Sequence, residues 1–170
     1  LMLSAILSDT MIFKSPTTTS MDKKVAQELA EITNLDIESY GYEMFKAGST
    51  IKGMSVEEVL NQDMKSYKVG DTSMVISQVF TMDYDDIEKD LDKYIDLLDN
   101  LAQNNHKVAV MFVTDVIKNG SYLIYNRNAE EIVQDSFNIK NIKQGTYLEN
   151  IVSRKKQMVP NLMENIEKVI

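Results

Sequence analysis

The chain has 170 residues, which is enough for one well-packed core, or for one domain and part of a second. Its 26 acidic residues outnumber its 18 basic ones, and the formal net charge of −8 argues against the basic face that non-specific nucleic-acid binding requires. Cysteine is absent and histidine occurs once, at His106, so disulfides, thiolate metal sites and histidine-rich metal sites are excluded.

The first 16 residues form an apolar run that is interrupted at Ser8-Asp9-Thr10. Because apolar residues flank Asp9 on both sides, we expect its carboxylate either to be shielded from solvent or to cap a helix. The run lacks the basic leader of a signal peptide, and no segment reaches the roughly 20 apolar residues of a membrane helix. Since the chain opens inside an apolar run and without Met, we expect it to be a piece of a longer protein.

Two helices and a boundary are predicted in the next part of the chain. The polar cluster at 17–20 indicates the start of a helix over about 20–33, and Asn34 ends it. A second short helix is predicted over 36–47. The residues expected on the inward faces of these helices are Val25, Leu29, Ile32, Tyr40, Met44 and Phe45. Two closely spaced glycines then predict a domain boundary with a linker at 47–52.

Residues 53–170 alternate between helical and strand patterns. The predicted elements are a helix capped at Ser55, strand 74–80, helix 84–102, strands 108–114 and 122–125, helix 129–136 capped at Asn128, strand 147–152 and a helix from Pro160. The apolar run at 108–114 is typical of a strand buried on both faces. Acidic residues spread around the 84–102 helix, which favours a solvated surface over a metal cluster. The order predicts an α/β domain with a mixed β-sheet flanked by helices.

A short basic run, Ser153-Arg154-Lys155-Lys156-Gln157, stands out in this acidic chain. Apolar residues anchor it on both sides, which a solvated charge run usually lacks. Arginine supplies a planar pair of donors and lysine supplies compact charge, and phosphate oxygens accept both. The run therefore suggests a site for a multiply charged anion, with a surface loop of three cations as the alternative. The chain holds no glycine-rich phosphate loop of the P-loop or dinucleotide type.

Several segments, in order along the whole chain, are similar to one known family. They are 1–10 (LMLSAILSDT), 12–17 (IFKSPT), 27–32 (QELAEI), 46–48 (KAG), 63–65 (DMK), 78–79 (QV), 113–115 (VTD) and 152–157 (VSRKKQ). Together they closely resemble the family II, manganese-dependent inorganic pyrophosphatases of the DHH phosphoesterase superfamily. The resemblance runs along the chain with hardly a gap.

This resemblance implies how the chain is divided. Residues 1–46 are expected to be the C-terminal remnant of the DHH metal-binding domain, a helical segment whose core lies elsewhere. Residues 47–52 are expected to be the hinge, and 53–170 the DHH-associated substrate-binding domain. The remaining His and Asp metal ligands of the family, and any regulatory CBS insertion, are expected upstream of this chain.

The resemblance also implies roles for individual residues. Asp9 falls on a metal-ligand carboxylate of the family, in the full-length protein. Lys65, Arg154 and Lys155 fall on its substrate-binding cations. Lys156 belongs to the same run but is assigned no direct contact, and no residue is assigned as catalytic.

The full-length protein to which this chain belongs, called the parent below, is therefore expected to be an enzyme. It is expected to hydrolyse diphosphate to two phosphates with Mn²⁺, or with Co²⁺ or Mg²⁺. Such hydrolysis requires charge neutralisation on the phosphoryl oxygens and a water molecule placed in line. This chain supplies the substrate-binding cations Lys65, Arg154 and Lys155, so we expect it to bind pyrophosphate or phosphate. We also expect it to hold no metal and to be nearly inactive alone. The alternatives are a fragment of a DHH-type exopolyphosphatase and a non-catalytic phosphate-binding or regulatory module.

The expected partners follow from the same considerations. Neither nucleic acid nor a membrane is expected, and DHH nucleases are disfavoured because their glycine-rich, histidine-containing motif is absent. The resemblance implies a homodimer formed through the N-terminal domain of the parent, and a monomer for this chain. A cytoplasmic location agrees with the absence of cysteine.

Overall fold

The structure is a computed structural model that describes residues 1–103 and 106–169, without the side chain of Val169. The chain divides into two compact units, residues 1–50 and residues 51–170. Among the described residues, no helix is both long enough and apolar enough to cross a membrane.

The first unit, which is described throughout, consists of helices. They are α1 (Met2–Asp9), α2 (Ser20–Thr33) and α3 (Ile37–Gly48). Thr19 and Asp22 form a reciprocal capping box at the start of α2, and Asn34 ends it in the left-handed conformation with φ 53°. The Asp36 side chain caps α3 by accepting a hydrogen bond from the Ser39 amide. The start of α2 after the polar cluster and the end of α2 at Asn34 were both predicted from the sequence.

The buried face of α2 differs from the predicted one. Ala26 and Ala30 are buried, whereas Ile32 is 80% exposed, so its predicted inward position is wrong. Ile32 follows Ala30 by two residues, which is about 200° around the helix. Small residues form the buried face here, and hydrophobicity alone favoured the larger side chain. In α3, Phe45 is buried as predicted.

The segment after α1 makes an unusual turn. Met11, Ile12 and Phe13 all have positive φ angles, of 48°, 53° and 65°. The first two are buried in the unit's core. The Ile12 side chain lies over Gly41 of α3, where an added Cβ would be 2.8 Å from two of its carbons. Glycine at position 41 therefore makes room for this turn.

The described part of the second unit is built on one five-stranded sheet. The strands are β1 (Met64–Val69), β2 (Thr72–Thr81), β3 (Val108–Asp115), β4 (Gly120–Tyr125) and β5 (Thr146–Glu149). They lie side by side in chain order, with β2 and β3 parallel and the other neighbouring pairs antiparallel. The helices are α4 (Val56–Asn61), α5 (Asp85–Glu88), α6 (Leu91–Gln103), α7 (Glu130–Phe137) and α8 (Val159–Val169). The predicted mixed sheet with flanking helices is confirmed.

Each face of the sheet packs against helices through a hydrophobic core. Ile76 and Phe112 point to the face that α7 and α8 cover, while Val75 and Met111 point to the face that α4 and α6 cover. All eight residues of β3 are buried, as predicted for a strand covered on both faces. Lys65 pairs with Ile76, which places Lys65 on the α7–α8 face of the edge strand β1.

One strand was missed, and three predicted elements differ in detail. Strand β1 was not predicted, because it is an edge strand with exposed Lys65 and Lys68 and only weak alternation. The predicted 84–102 helix is divided between α5 and α6. Asn128 does not cap α7, because a single 3₁₀ turn at Arg127–Ala129 precedes that helix. The predicted strand 147–152 ends at Glu149.

Helix α8 closes the α7–α8 face. The sequence pattern predicts that it packs inward through Leu162, Met163, Ile166 and Val169. Leu162 and Ile166 are fully buried and Met163 packs against the same core. The Val169 side chain lies outside the described residues.

Candidate anion-binding site

The basic run forms a single π-helical turn, Arg154–Met158, between β5 and α8. The Ser153 hydroxyl caps this turn by accepting a hydrogen bond from the Lys156 amide at 3.3 Å. At the other end, Met158 is fully buried in the core under α8. Val152 before the turn is also buried, so apolar residues anchor the basic run on both sides, as predicted.

Gln157 closes the segment that leads into the turn. Its Oε1 accepts hydrogen bonds from the amides of Val152 and Ser153, at 3.0 and 2.9 Å. Its Nε2 donates to the Asn150 carbonyl oxygen at 2.7 Å. The glutamine of the basic run therefore shapes the loop backbone.

A buried polar chain lies beneath the loop. Gln78 Nε2 donates to the Val152 carbonyl oxygen at 3.0 Å and to Thr114 Oγ1 at 2.9 Å. The Thr114 and Ser121 hydroxyls are 2.9 Å apart, and Ser121 Oγ donates to the Ile151 carbonyl oxygen at 2.6 Å. Buried polar groups are costly unless they are hydrogen-bonded, and here their partners are the backbone of the loop. These contacts attach the loop to β2, β3 and β4.

Arg154 connects the basic turn to the start of β1. Its Nη1 donates to the Asp63 carbonyl oxygen at 2.7 Å, and its Nη2 lies 2.8 and 2.7 Å from the two carboxylate oxygens of Asp63. The Arg154 side chain is 11% exposed and that of Asp63 is 44% exposed. Charge-assisted contacts of this kind fix the plane of the guanidinium. They bring the basic turn to Asp63, two residues before Lys65.

Three lysines in these segments are exposed. Lys65 lies on the sheet face that carries α8, and Lys155 and Lys156 lie in the basic turn. Within the described residues, none of the three lysine side chains makes a hydrogen bond or an ion pair, whereas the Arg154 side chain is paired with Asp63. Unpaired cations on an otherwise acidic protein form a local positive region that attracts anions. The roles predicted for Lys65, Arg154 and Lys155 remain predictions.

Asp9 is the last residue of α1 and is exposed. The expectation that its carboxylate is shielded from solvent or caps a helix is therefore wrong. Leu3 and Leu7 form the buried face of α1, and Asp9 follows Leu7 by two residues, on the other side of the helix. Among the described residues, no group of three or more His, Cys, Asp or Glu side chains could hold a metal ion. His106 Nδ1 instead lies 2.9 Å from the Ser73 hydroxyl.

Sequence reasoning did not find the residues that support the basic turn. Asp63, Gln78 and Thr114 occur in the segments that carry the family resemblance, yet no role was assigned to them. Their partners lie far away along the chain, so local pattern offered no signal. Only the proximity of Asp63 to Lys65 in sequence could have suggested its place.

The fold and the basic turn define an α/β domain with a candidate oxyanion site. Residues 42–165 match the DHHA2 domain, and the chain belongs to the DHHA2 domain family. Among similar curated proteins is a "Probable manganese-dependent inorganic pyrophosphatase" of Clostridium acetobutylicum, 42% identical over 98% of this chain and 54% of its own length. A protein with the same description from Staphylococcus aureus strain N315 is 40% identical over 99% of this chain and 55% of its own length.

A solved structure is also similar. The crystal structure of a candidate family II inorganic pyrophosphatase of Methanococcus jannaschii matches 96% of this chain and 53% of its own chain. The TM-score is 0.83 at 36% sequence identity. The chain thus spans about half the length of the curated relatives it matches. The resemblance to the family II pyrophosphatases, noted on the sequence segments above, is confirmed.

Proposed function

We propose that this chain is the C-terminal, substrate-binding part of a manganese-dependent inorganic pyrophosphatase that hydrolyses diphosphate to two phosphates. The observation that supports this most directly is the attachment of Arg154 to Asp63, across 91 positions of sequence. It joins the basic turn to the segment that carries Lys65, so cations from both segments can act on one anion. The descriptions of the relatives favour this activity over an exopolyphosphatase or a non-catalytic module.

The proposed role of this chain is to bind and orient the phosphoryl groups. Lys65 and Lys155 are exposed and supply net positive charge, whereas Arg154 supplies directed hydrogen-bond donors. Donors held in place before the reaction stabilise the charge that develops on phosphoryl oxygens in the transition state. In the full-length protein, residues 1–46 would belong to the DHH metal-binding domain, 47–52 to the hinge and 53–170 to the substrate-binding domain.

The described residues do not fit a manganese cluster by themselves. Asp9 is exposed, and no set of three potential ligands surrounds it or any other described position. We therefore assign Mn²⁺, with Co²⁺ or Mg²⁺ as substitutes, to the full-length protein, where Asp9 would be one ligand among several. A bound divalent metal would supply an activated water there. The isolated chain is then a binder of pyrophosphate and phosphate without hydrolytic activity.

The proposal extends to assembly and location. The parent is a cytoplasmic homodimer formed through its N-terminal domain, and the isolated chain is a monomer. The cysteine-free composition requires no oxidising compartment.

Titration of the 170-residue chain with metal-free pyrophosphate, followed by amide NMR shifts, tests the proposal. We expect shifts at the basic turn and at 63–65, and weaker binding for Lys65→Ala, Arg154→Ala and Lys155→Ala. Lys68→Ala is the matched control, because Lys68 is exposed on the same strand but on the opposite face of the sheet from Lys65. Lys68 pairs with Ser73 and Lys65 pairs with Ile76, and these two partners point to opposite faces. Equal losses for Lys65→Ala and Lys68→Ala would contradict the assignment. A series of phosphate chain lengths on the full-length protein separates pyrophosphatase from exopolyphosphatase.

A further inference from the structure

We infer that Asp63 is a positioning residue: it holds the Nη edge of the Arg154 guanidinium, so that the Nε–H is left for an anion. This inference rests on the proposed function and names how one of its cations is prepared. Both Nη nitrogens of Arg154 donate to Asp63, one to the backbone oxygen and one to the carboxylate. The Nε–H has no acceptor among the described residues. Arg154 Nε is not among the buried side-chain atoms that lack a partner in the described part of the chain, so it is open to solvent and available to a ligand.

Asp63 is itself fixed by the sheet. Its backbone oxygen, which accepts from Arg154 Nη1, also accepts a hydrogen bond from the Gln78 amide at 3.0 Å. The side chain of the same Gln78 holds the Val152 carbonyl oxygen, just before the basic turn. The acceptor of the guanidinium and the backbone that leads to Arg154 are therefore both attached to one residue of β2. These two attachments fix the positions of both partners in the contact between Arg154 and Asp63.

The Asp63 carboxylate also gives Arg154 and the exposed lysines different roles in anion binding. Because Asp63 compensates the charge of Arg154, the net positive charge of the site comes from the exposed lysines. Arg154 then contributes direction rather than net charge, and a guanidinium already ordered in the free protein loses less entropy when it binds. A freely moving arginine at this position would have to be ordered by each anion that binds.

The removal of Asp63 has two opposite effects on anion binding, and salt separates them. Loss of a negative charge favours the anion, but this effect is screened at about 1 M salt, where the Debye length is about 3 Å. Loss of order in Arg154 weakens binding at any salt concentration. We expect Asp63→Ala to bind pyrophosphate about 3- to 10-fold more weakly than wild type at about 1 M sodium chloride, from the cost of ordering one long side chain. Asp63→Asn keeps an acceptor oxygen and should lie between the two.

Two further measurements separate positioning from a merely structural role. In the Arg154→Ala background, the substitution of Asp63 should cause no further loss of affinity. The ¹⁵N relaxation of the Arg154 Nε–H should report a rigid side chain in the wild type and a mobile one in Asp63→Ala, at equal thermal stability of residues 51–170. If Asp63→Ala unfolds, Asp63→Asn supplies the comparison, with an intermediate loss of order in Arg154 expected.

The inference is overturned if Arg154 stays rigid without Asp63, or if Asp63→Ala binds pyrophosphate as well as wild type at high salt. Failure of the proposed function gives a different result: wild type shows no response to pyrophosphate at Lys65, Arg154 and Lys155. The relaxation measurement then still decides whether Asp63 orders the arginine, because it needs no ligand.

Discussion

Gln78 on β2 and Val152 before the basic turn are joined by a buried hydrogen bond of 3.0 Å, from a side-chain amide to a backbone carbonyl. The same amide nitrogen lies 2.9 Å from the Thr114 hydroxyl. The sheet thereby provides the hydrogen-bond partner that this loop carbonyl oxygen would otherwise need from solvent. The candidate site follows from this attachment, because the turn that carries its cations begins two residues later, at Arg154.

Gln78→Leu should destabilise the second unit by about 1–3 kcal/mol, since it leaves the Val152 carbonyl oxygen and the Thr114 hydroxyl without that partner in a buried position. Urea unfolding measures the loss. Gln27→Leu on the exposed face of α2 is the control and should change stability by no more than about 0.5 kcal/mol. A Gln78→Leu chain as stable as wild type would show that the loop does not depend on this bond.

Local pattern was sufficient for the strongly periodic elements and insufficient for the site. The limits of α2 and the burial of β3 follow from capping residues and an unbroken apolar run. Strand β1 escaped prediction because half of its residues are exposed and the alternation along it is weak. The contacts that build the site, Arg154 with Asp63 and Gln78 with Val152, join residues 91 and 74 positions apart. No local periodicity encodes such pairs: charge alone indicated the basic run, and only the family resemblance connected it with Lys65.

Gly41→Ala should destabilise the first unit by about 1–3 kcal/mol. The added Cβ would lie 2.8 Å from two side-chain carbons of Ile12, in a turn whose positive φ angles leave little freedom to adjust. Amide hydrogen exchange in residues 1–50 measures the effect. Gly48→Ala in the same helix is the matched control: its Cβ would meet nothing within 4 Å, and alanine should stabilise the helix by up to about 1 kcal/mol. Faster exchange in both variants would rule out the close contact as the cause.

Tyr84→Phe should stabilise the protein by about 1 kcal/mol. The Tyr84 hydroxyl is buried and has no hydrogen-bond partner among the described residues, while its ring stacks on Tyr122 at 3.7 Å and would be retained. Tyr125→Phe is the matched control and should instead lose about 1 kcal/mol, because that hydroxyl donates to the Ile142 carbonyl oxygen at 3.1 Å. Thermal unfolding at neutral pH compares the two variants, and the same sign for both would contradict this account.

Stability should fall in alkaline solution between about pH 10 and pH 12. Burial raises the pKa of Tyr84, Tyr94 and Tyr125 from 10.0 to about 12. A raised folded-state pKa means that the contribution of these tyrosines to stability is complete below pH 10 and is lost as the pH rises through 12. Unfolding by urea at several pH values, alongside tyrosinate absorbance, measures both changes. In Tyr84→Phe the alkaline fall should be shallower, and an unchanged slope would mean that Tyr84 titrates normally in the folded protein.

Arg154→Ala should weaken pyrophosphate binding by roughly tenfold to a few hundredfold, because it removes a charge-assisted contact worth about 1.5–3 kcal/mol. The loss has a second source. Asp63, paired with Arg154 in the wild type, becomes an unpaired carboxylate next to the site and repels the anion. Arg154→Lys should recover only part of the affinity, since lysine cannot hold Asp63 and present a second donor edge at the same time.

The double variant Arg154→Ala, Asp63→Asn separates these two sources. At low salt it should bind pyrophosphate more tightly than Arg154→Ala alone, because the repelling charge is gone, and at about 1 M salt the two should bind equally. Isothermal titration of the wild type, Asp63→Asn, Arg154→Ala and the double variant at both salt concentrations gives the comparison. If Arg154→Ala binds pyrophosphate as tightly as wild type, then Arg154 only joins the basic turn to β1, and the exposed lysines alone carry the site.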